Sequence, residues 1–228
     1  MKTLLVFIFF FISIVYSQSA DFRYDNYNES ELRKSAIKIS HLSSLWLSDH
    51  ISIKQRENKR LIVKFGYSSY SKKINDLRWI LPDLKFGLRI SKNLFTSGRF
   101  YGLHLKEDSP QIVGAGIHYT FGQNGFWMVS FQKSAINGLN DFRLVSSSFN
   151  LEKYIEKSKF DLVIGIGSNT SMNRSYYSSS FLPNKLDKNI KYASLKILYP
   201  FRKIKLGIGT RFSSDMFLFN IFISKGFQ

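Results

Sequence analysis

From residue 60 to the end of the chain the dominant period is two. RLIVKFGYSS sets Leu61, Val63, Phe65 and Tyr67 against Ile62, Lys64, Gly66 and Ser68, and DLKFGLRIS sets Leu84, Phe86, Leu88 and Ile90 against Lys85, Gly87, Arg89 and Ser91. RFYGLHLK sets Tyr101, Leu103 and Leu105 against Gly102, His104 and Lys106. The alternation continues through QIVGAGIHYTF, FWMVSFQK, FDLVIGIGS, KYASLKILY, KIKLGIGTRF and MFLFNIFIS. Successive side chains of a strand point to opposite sides, so each run predicts a strand with one apolar face. DFRLVSSSFNL (residues 141–151) alternates poorly and its faces are not assignable. The pattern predicts ten strands, with eight to twelve compatible with it.

Ahead of these strands the pattern changes twice. Residues 1–19 carry Lys2, an apolar run from Leu4 to Val15, and small residues at Ser17 and Ser19, the pattern of a secretory signal peptide. Cleavage after Ser19 leaves about 209 residues; cleavage after Ser17 is nearly as good. The apolar run is short against ~30 Å of hydrocarbon, which disfavours an uncleaved anchor. Residues 20–59 are polar and irregular, and are read as a periplasmic N-terminal segment. Within it, Ser30 stands before Glu31 with Leu32, Ala36 and Ile39 at helical spacing, predicting a short helix. LWLSDHISI puts Leu45, Leu47, Ile51 and Ile53 on one face, as in a strand.

The meander from residue 60 to 228 is read as all-β, an antiparallel up-and-down barrel of about ten strands. An apolar face along every strand, opposite a face of Lys, Arg, His, Ser and Gly, suits a barrel in lipid, where each strand must pair on both sides. Inward glycines suit a narrow, strongly curved wall. Connection lengths agree with two-sided placement. Counting back from a periplasmic C-terminus, 213–214, 169–188, 135–140, 107–110 and 69–82 fall outside. On the periplasmic side fall 200–202, 152–158, 122–124 and 92–98, including the GQNG hairpin signal at 122–125. Tyr67, Tyr101, Tyr119, Trp127 and Tyr199 lie near strand ends, where interfacial aromatics are expected.

The last segment holds Phe217, Phe219, Ile221, Ile223 and Phe227 in one alternating register. In this the chain resembles bacterial outer-membrane β-barrel proteins, which end on an amphipathic strand with an aromatic residue at or beside the terminus. It departs from them in placing Gln228 after the last Phe and Lys225 within the apolar register. The resemblance implies that these five residues form an assembly signal for the barrel-assembly machinery. It also implies outer-membrane lipids, and other envelope proteins, as partners.

Composition adds bounds. The chain has 22 Phe, 12 Tyr and no Cys, so neither a disulfide framework nor a lipid-modified cysteine is available. The formal charge of +17 becomes +16 without Lys2. Such a balance favours anionic surfaces or ligands, and export argues against nucleic acid. Lys64, Lys85, Arg89, Lys196, Lys205 and Arg211 share the inward register and would line a basic lumen. Pairing with loop acids, or extension to the rims, is the plainer account of them.

Candidate chemistry is sparse. His104 and His118 fall on inward faces of adjacent strands, without the spacing of a metal site, and no metal or cofactor is expected. GAG at 114–116 and GIG at 165–167 and 207–209 complete no phosphate loop and sit within strands. No G-x-S-x-G elbow occurs. The functional reading is a non-enzymatic, porin-like outer-membrane barrel: a narrow anion-leaning pore, a structural barrel, or an accessory of a secretion or assembly machine. The alternatives are a soluble exported lipocalin-like or sandwich binding module, whose apolar face would point inward, and a lipid hydrolase built on a Ser–His pair in the wall.

Overall fold

The computed structural model describes residues 20–24, 29–55, 59–74, 77–105, 107–123, 126–177 and 180–228. The signal-like residues 1–19 and half of the GQNG turn lie outside these. Among the described residues one helix, α1 (Glu29–Leu47), precedes ten strands. They are β1 (Leu61–Ile74), β2 (Leu77–Arg89), β3 (Leu94–Gly102), β4 (Gln111–Phe121) and β5 (Trp127–Asn137), then β6 (Phe142–Glu156), β7 (Asp161–Ser175), β8 (Lys188–Phe201), β9 (Ile204–Phe212) and β10 (Phe217–Phe227). Each strand pairs antiparallel with its sequence neighbours, and β10 closes on β1 from Leu61↔Phe227 to Tyr70↔Leu218. Ten is therefore the strand number; residues 35–54 add none.

Connections 90–93, 122–126, 157–160 and 202–203 share one rim with the start of β1 and the end of β10, here the near rim. The far rim carries the end of β1, the start of β2 and connections 103–110, 138–141, 176–187 and 213–216. The strands reach further than the alternation alone indicated. Residues 69–82, expected as a loop, are mostly β1 and β2 extended beyond the apolar positions, and β7 runs on to Ser175. Polar side chains there hide the strand signal without ending the ladder.

Burial follows the expected faces in most strands. In β1, Ile62, Lys64, Gly66 and Ser68 are buried, while Leu61 is exposed and Val63, Phe65 and Tyr67 are partly so. In β10, Leu218, Asn220 and Phe222 point in, and Phe217, Phe219, Ile221 and Phe227 point out, with Ile223 half-exposed beside them. β6, which the pattern left open, resolves with Phe142, Leu144, Ser146, Ser148, Asn150, Glu152 and Tyr154 inward. β3 is a correction. Its inward residues are Phe95, Ser97, Arg99 and Tyr101, the reverse of the face inferred for Tyr101, and Phe100 is 77% exposed outside. The strand starts at Leu94, inside the stretch read as a connection, and its apolar side, Tyr101 with Leu103 and Leu105 beyond it, packs against the inner core rather than lipid, so taking the apolar side as outward inverted the face.

The wall is uneven at β2 and β3, which pair only from Phe86↔Gly98 to Arg89↔Phe95. Above that ladder the Tyr101 hydroxyl donates to the Pro82 carbonyl at 2.9 Å. Proline offers no amide hydrogen, so it is tolerated where a strand loses its neighbour.

Inward glycines make room for larger side chains. Phe222 stands between Gly66 on β1 and Gly207 on β9. A Cβ on Gly207 would overlap the Phe222 ring, and one on Gly66 would overlap its Cα–Cβ bond. Gly207→Val is expected to cost about 1–3 kcal/mol through overpacking, seen as a lower urea midpoint in refolding titrations.

The N-terminal segment is the largest difference from expectation. It does not hang from the near rim but runs inside the barrel. Every residue from Ile39 to Ile51 is buried. α1 spans 19 residues rather than a short turn or two, and its last turn takes in Leu45 and Leu47. Residues 48–55 are irregular and pair with no strand, so LWLSDHISI is not a strand. Its alternation reflects burial on all sides. The leucines end the helix, and Ile51 and Ile53 meet wall residues Ile62, Phe95, Met128, Val163 and Phe222. Only the first turns of α1 carry exposed residues, Glu31, Arg33 and Lys34; from Ile39 onward the helix is buried on every side and has no polar face to mark it in sequence. Ser40 and Ser43 return their hydroxyls to the carbonyls of Ala36 and Ile39, so the helix needs few partners for them.

Candidate functional site

The lumen is the site, and its centre is the junction where α1 gives way to irregular chain. A helix C-terminus leaves carbonyls without partners and concentrates negative partial charge. α1 has no basic residue in its last turn. The wall supplies the donors instead. Arg211 on β9 donates Nη1 to the Leu45 carbonyl at 2.6 Å and to Ser48 Oγ at 3.1 Å. Gln132 on β5 donates to the Leu47 carbonyl at 2.7 Å, and Arg99 on β3 to the Asp49 carbonyl. Higher on the helix, Asn169 on β7 binds Ser44: Ser44 Oγ donates to Asn169 Oδ1 at 2.9 Å, Asn169 Nδ2 donates to the Ser44 carbonyl at 2.8 Å, and Ser146 on β6 bonds the Asn169 amide in turn.

Asp49 is the hub. Its carboxylate accepts Lys64 Nζ at 2.6 Å and Lys85 Nζ at 2.5 Å, and Arg211 Nη2 stands 3.5 Å away. Lys85 also pairs with Asp83 on its own strand. Lys64 Nζ lies 4.0 Å above the Phe222 ring, an additional cation–π contact. A second cluster sits toward the near rim. Glu152 on β6 accepts Lys196 Nζ at 2.7 Å and lies 3.0 Å from His50 Nε2; Lys196 also donates to Ser52 at 2.8 Å. Five buried cations (Lys64, Lys85, Arg99, Lys196 and Arg211) thus face three buried carboxylates (Asp49, Asp83 and Glu152) in the described lumen. Uncompensated charge in such a setting is costly, so the pairing fixes where the N-terminal segment can sit.

The six basic residues expected to line the lumen therefore divide. Lys64, Lys85 and Arg211 converge on Asp49, and Lys196 holds Glu152. Arg89 and Lys205 lie half-buried at the near rim. Arg89 donates to the carbonyls of Lys59 and Gln55 at 3.1 and 3.2 Å and stacks on Phe95. The acids that meet the central cations come from the wall and the N-terminal segment, not from loops. Asp161 at the start of β7 binds Lys54 at 2.5 Å.

Of the two lumen histidines, only His118 is inside. His104 lies past the end of β3, exposed, 3.5 Å from Ser109. Its expected position followed from the inverted face of β3. His118 instead neighbours His50, with ring centroids 6.2 Å apart, and its Nε2 lies 2.7 Å from Ser97 Oγ. This Ser–His pair faces the filled lumen. His118 Nδ1 has no hydrogen-bond partner, so no carboxylate orients the ring as a hydrolytic triad requires. Among the described residues no group of His, Asp and Glu has metal-binding geometry.

At the far rim His41 joins α1 to the wall. Its Nδ1 is 3.0 Å from Lys188 Nζ and its Nε2 3.3 Å from Ser213 Oγ. Burial first, and then the Lys188 ammonium, hold its pKa down to about 4, so the neutral ring accepts from lysine.

Sequence reasoning missed Asp49, His50, Asp83, Arg99 and Glu152. Arg99 and Glu152 were legible in principle, since each lies in inward register once β3 and β6 are placed correctly. Asp49 carried no signal, because its role depends on a helix threaded through the wall.

No family model matches the chain, and no curated protein matches it. Several solved barrels resemble it in shape. The KdgM porin is 7% identical, covering 73% of this chain and 99% of that one at a TM-score of 0.40. The N-terminal β-barrel domain of Pseudomonas aeruginosa OprF is 8% identical over 75% and 100%, at 0.38. The translocator domain of the Neisseria meningitidis autotransporter NalP is 9% identical over 86% and 96%, at 0.41. The fold stands on the closed strand register described above rather than on these likenesses.

Proposed function

We propose that the chain is a non-catalytic β-barrel of the bacterial outer membrane, brought there by a cleaved signal peptide and closed at rest by its own N-terminal segment. The observation that carries this reading is the inversion of burial. Ile164, Ile166, Ile197, Ile208 and Ile221 are 43–63% exposed on the outer wall, whereas Lys64, Lys85, Glu152, Lys196 and Arg211 are at most 3% exposed within. A soluble lipocalin-like barrel buries the opposite set. Lipid is the solvent that this outer face fits.

The terminal strand, with Phe217, Phe219, Ile221, Ile223 and Phe227 directed outward, is the surface we assign to the barrel-assembly machinery. The lumen's excess of cations makes it anion-leaning once the N-terminal segment leaves, and non-conducting while it stays. Heat-modifiable gel mobility in membrane fractions tests the location; recovery of the chain only from soluble periplasm would overturn it. In planar bilayers the refolded protein is expected to be silent for most of the record, with rare openings that favour chloride over potassium. Steady, cation-selective conductance would remove the closed-lumen reading.

A further inference from the structure

The N-terminal segment crosses the lumen in one direction. Gln55 touches Asn93 in the near-rim connection 90–93, and Lys54 reaches Glu156 and Asp161, on either side of 157–160. Asp49 and His50 occupy the middle, on Lys64, Lys85 and Glu152. Ser44 meets Asn169, and His41 meets Ser213 of the far-rim connection 213–216. Residues 20–24 are at the far rim itself. The Tyr24 amide donates to Asp141, and its ring stacks on Phe142 at 5.0 Å. Phe22 meets Trp79 edge-on at 4.7 Å, and Arg23 Nη1 lies 2.7 Å from Glu107 in connection 103–110. Read backwards from β1, the chain climbs the barrel, with the last turns of α1 inside the wall and His41 at the far rim, and ends in residues 20–24 packed among the far-rim loops, where Ala20, Phe22 and Tyr24 are buried and Arg23 is partly exposed.

We infer that the residue-20 end of the chain is presented on the cell surface, having crossed the outer membrane inside its own barrel. The inference rests on the outer-membrane reading, with the near rim periplasmic. Both ends of the barrel proper, Leu61 and Phe227, share that rim, so a segment preceding β1 would by default remain in the periplasm. Here it does not. A helix satisfies its backbone internally while it occupies the lumen, and its unpaired end carbonyls meet Arg211 and Gln132. At the exit, Phe22 and Tyr24 anchor in aromatic contacts and Arg23 pairs with Asp21 and Glu107. The lumen thus works as an occupied conduit that carries the segment preceding β1 through to the loop side of the barrel.

The natural absence of cysteine makes the test direct. Three single-cysteine variants of the full chain, Arg23→Cys, Asn184→Cys in connection 176–187 and Lys203→Cys at the near rim, are exposed on intact cells to a polyethylene-glycol maleimide too large to cross the outer membrane. Expected are gel shifts for Arg23→Cys and Asn184→Cys on intact cells, and for Lys203→Cys only after permeabilisation. A shift of Asn184→Cys on intact cells with none for Arg23→Cys until permeabilisation overturns the inference while leaving the outer-membrane reading intact. If Asn184→Cys itself is protected on intact cells, the outer-membrane orientation fails and the inference falls with it. Should Arg23→Cys not fold, an epitope inserted after Ala20 and stained by antibody on intact cells supplies the same reading, and staining confined to permeabilised cells overturns it.

Discussion

Asp49→Ala is expected to destabilise the protein by about 3–5 kcal/mol, the cost of removing one partner from a buried ion cluster and leaving the others uncompensated. The carboxylate holds Lys64 and Lys85 at 2.6 and 2.5 Å and stands 3.5 Å from Arg211. Without it, the five lumen cations face only Asp83 and Glu152, and the mutual repulsion of Lys64, Lys85 and Arg211 acts in a poorly hydrated space. The simplest relief is for residues 29–55 to leave and for water to enter. Loss of the segment should precede loss of the wall, whose ladders do not involve Asp49. Trp46 is fully buried on α1 and reports on the segment directly. Guanidinium titration should therefore show an early red shift in tryptophan emission while strand circular dichroism persists, and bilayer recordings should show frequent anion-selective openings. A change of under about 1 kcal/mol with silent bilayers would mean that Asp49 does not hold the lumen closed. Asp49→Asn should fall between, keeping shape and hydrogen bonding but not charge.

The second large effect is expected on the outer wall. Ile208 lies in mid-strand on β9, 52% exposed, with Ile197 and Ile221 as its cross-strand partners. In lipid, Ile208→Arg places a charge among apolar side chains at bilayer depth, at a cost of about 2–4 kcal/mol. On a water-exposed wall the same change would usually stay within about 0.5 kcal/mol. Folding free energies measured in phosphatidylcholine vesicles separate the two. Thr170→Arg, an outward position on β7 beside Ser147 and Asn189 in the polar far part of the wall, serves as the control and should be nearly silent. Equal, small effects at the two sites would argue that no lipid surrounds β9.

Much of the wall was legible because alternation is a local property. In β1, β2, β4, β5 and β7–β10 each side chain's face follows from its neighbours two residues away. Strand ends were harder to read. β1, β2 and β7 extend into polar sequence, where a hydrogen-bonded ladder continues without an apolar stripe. β3 shows where the rule fails: its apolar side, Tyr101 with Leu103 and Leu105 beyond, faces the inner core, so taking that side as outward put His104 inside and overlooked Arg99.

The sequence by itself determined the class of wall: antiparallel strands, greasy on one side and basic on the other, with connections sorted onto two rims. Period-two burial needs only neighbouring residues to be expressed. Only the tertiary structure decided what fills that wall. The second half of α1, from Ile39 to Leu47, shows no contrast between faces because it is buried on every side. Asp49 meets Lys64, Lys85 and Arg211 only after β10 closes on β1 and brings β1, β2 and β9 around one axis. Closure turned a row of inward lysines and arginines, for which the sequence offered pairing with loop acids as the plainest account, into the seat of the chain's own N-terminal segment.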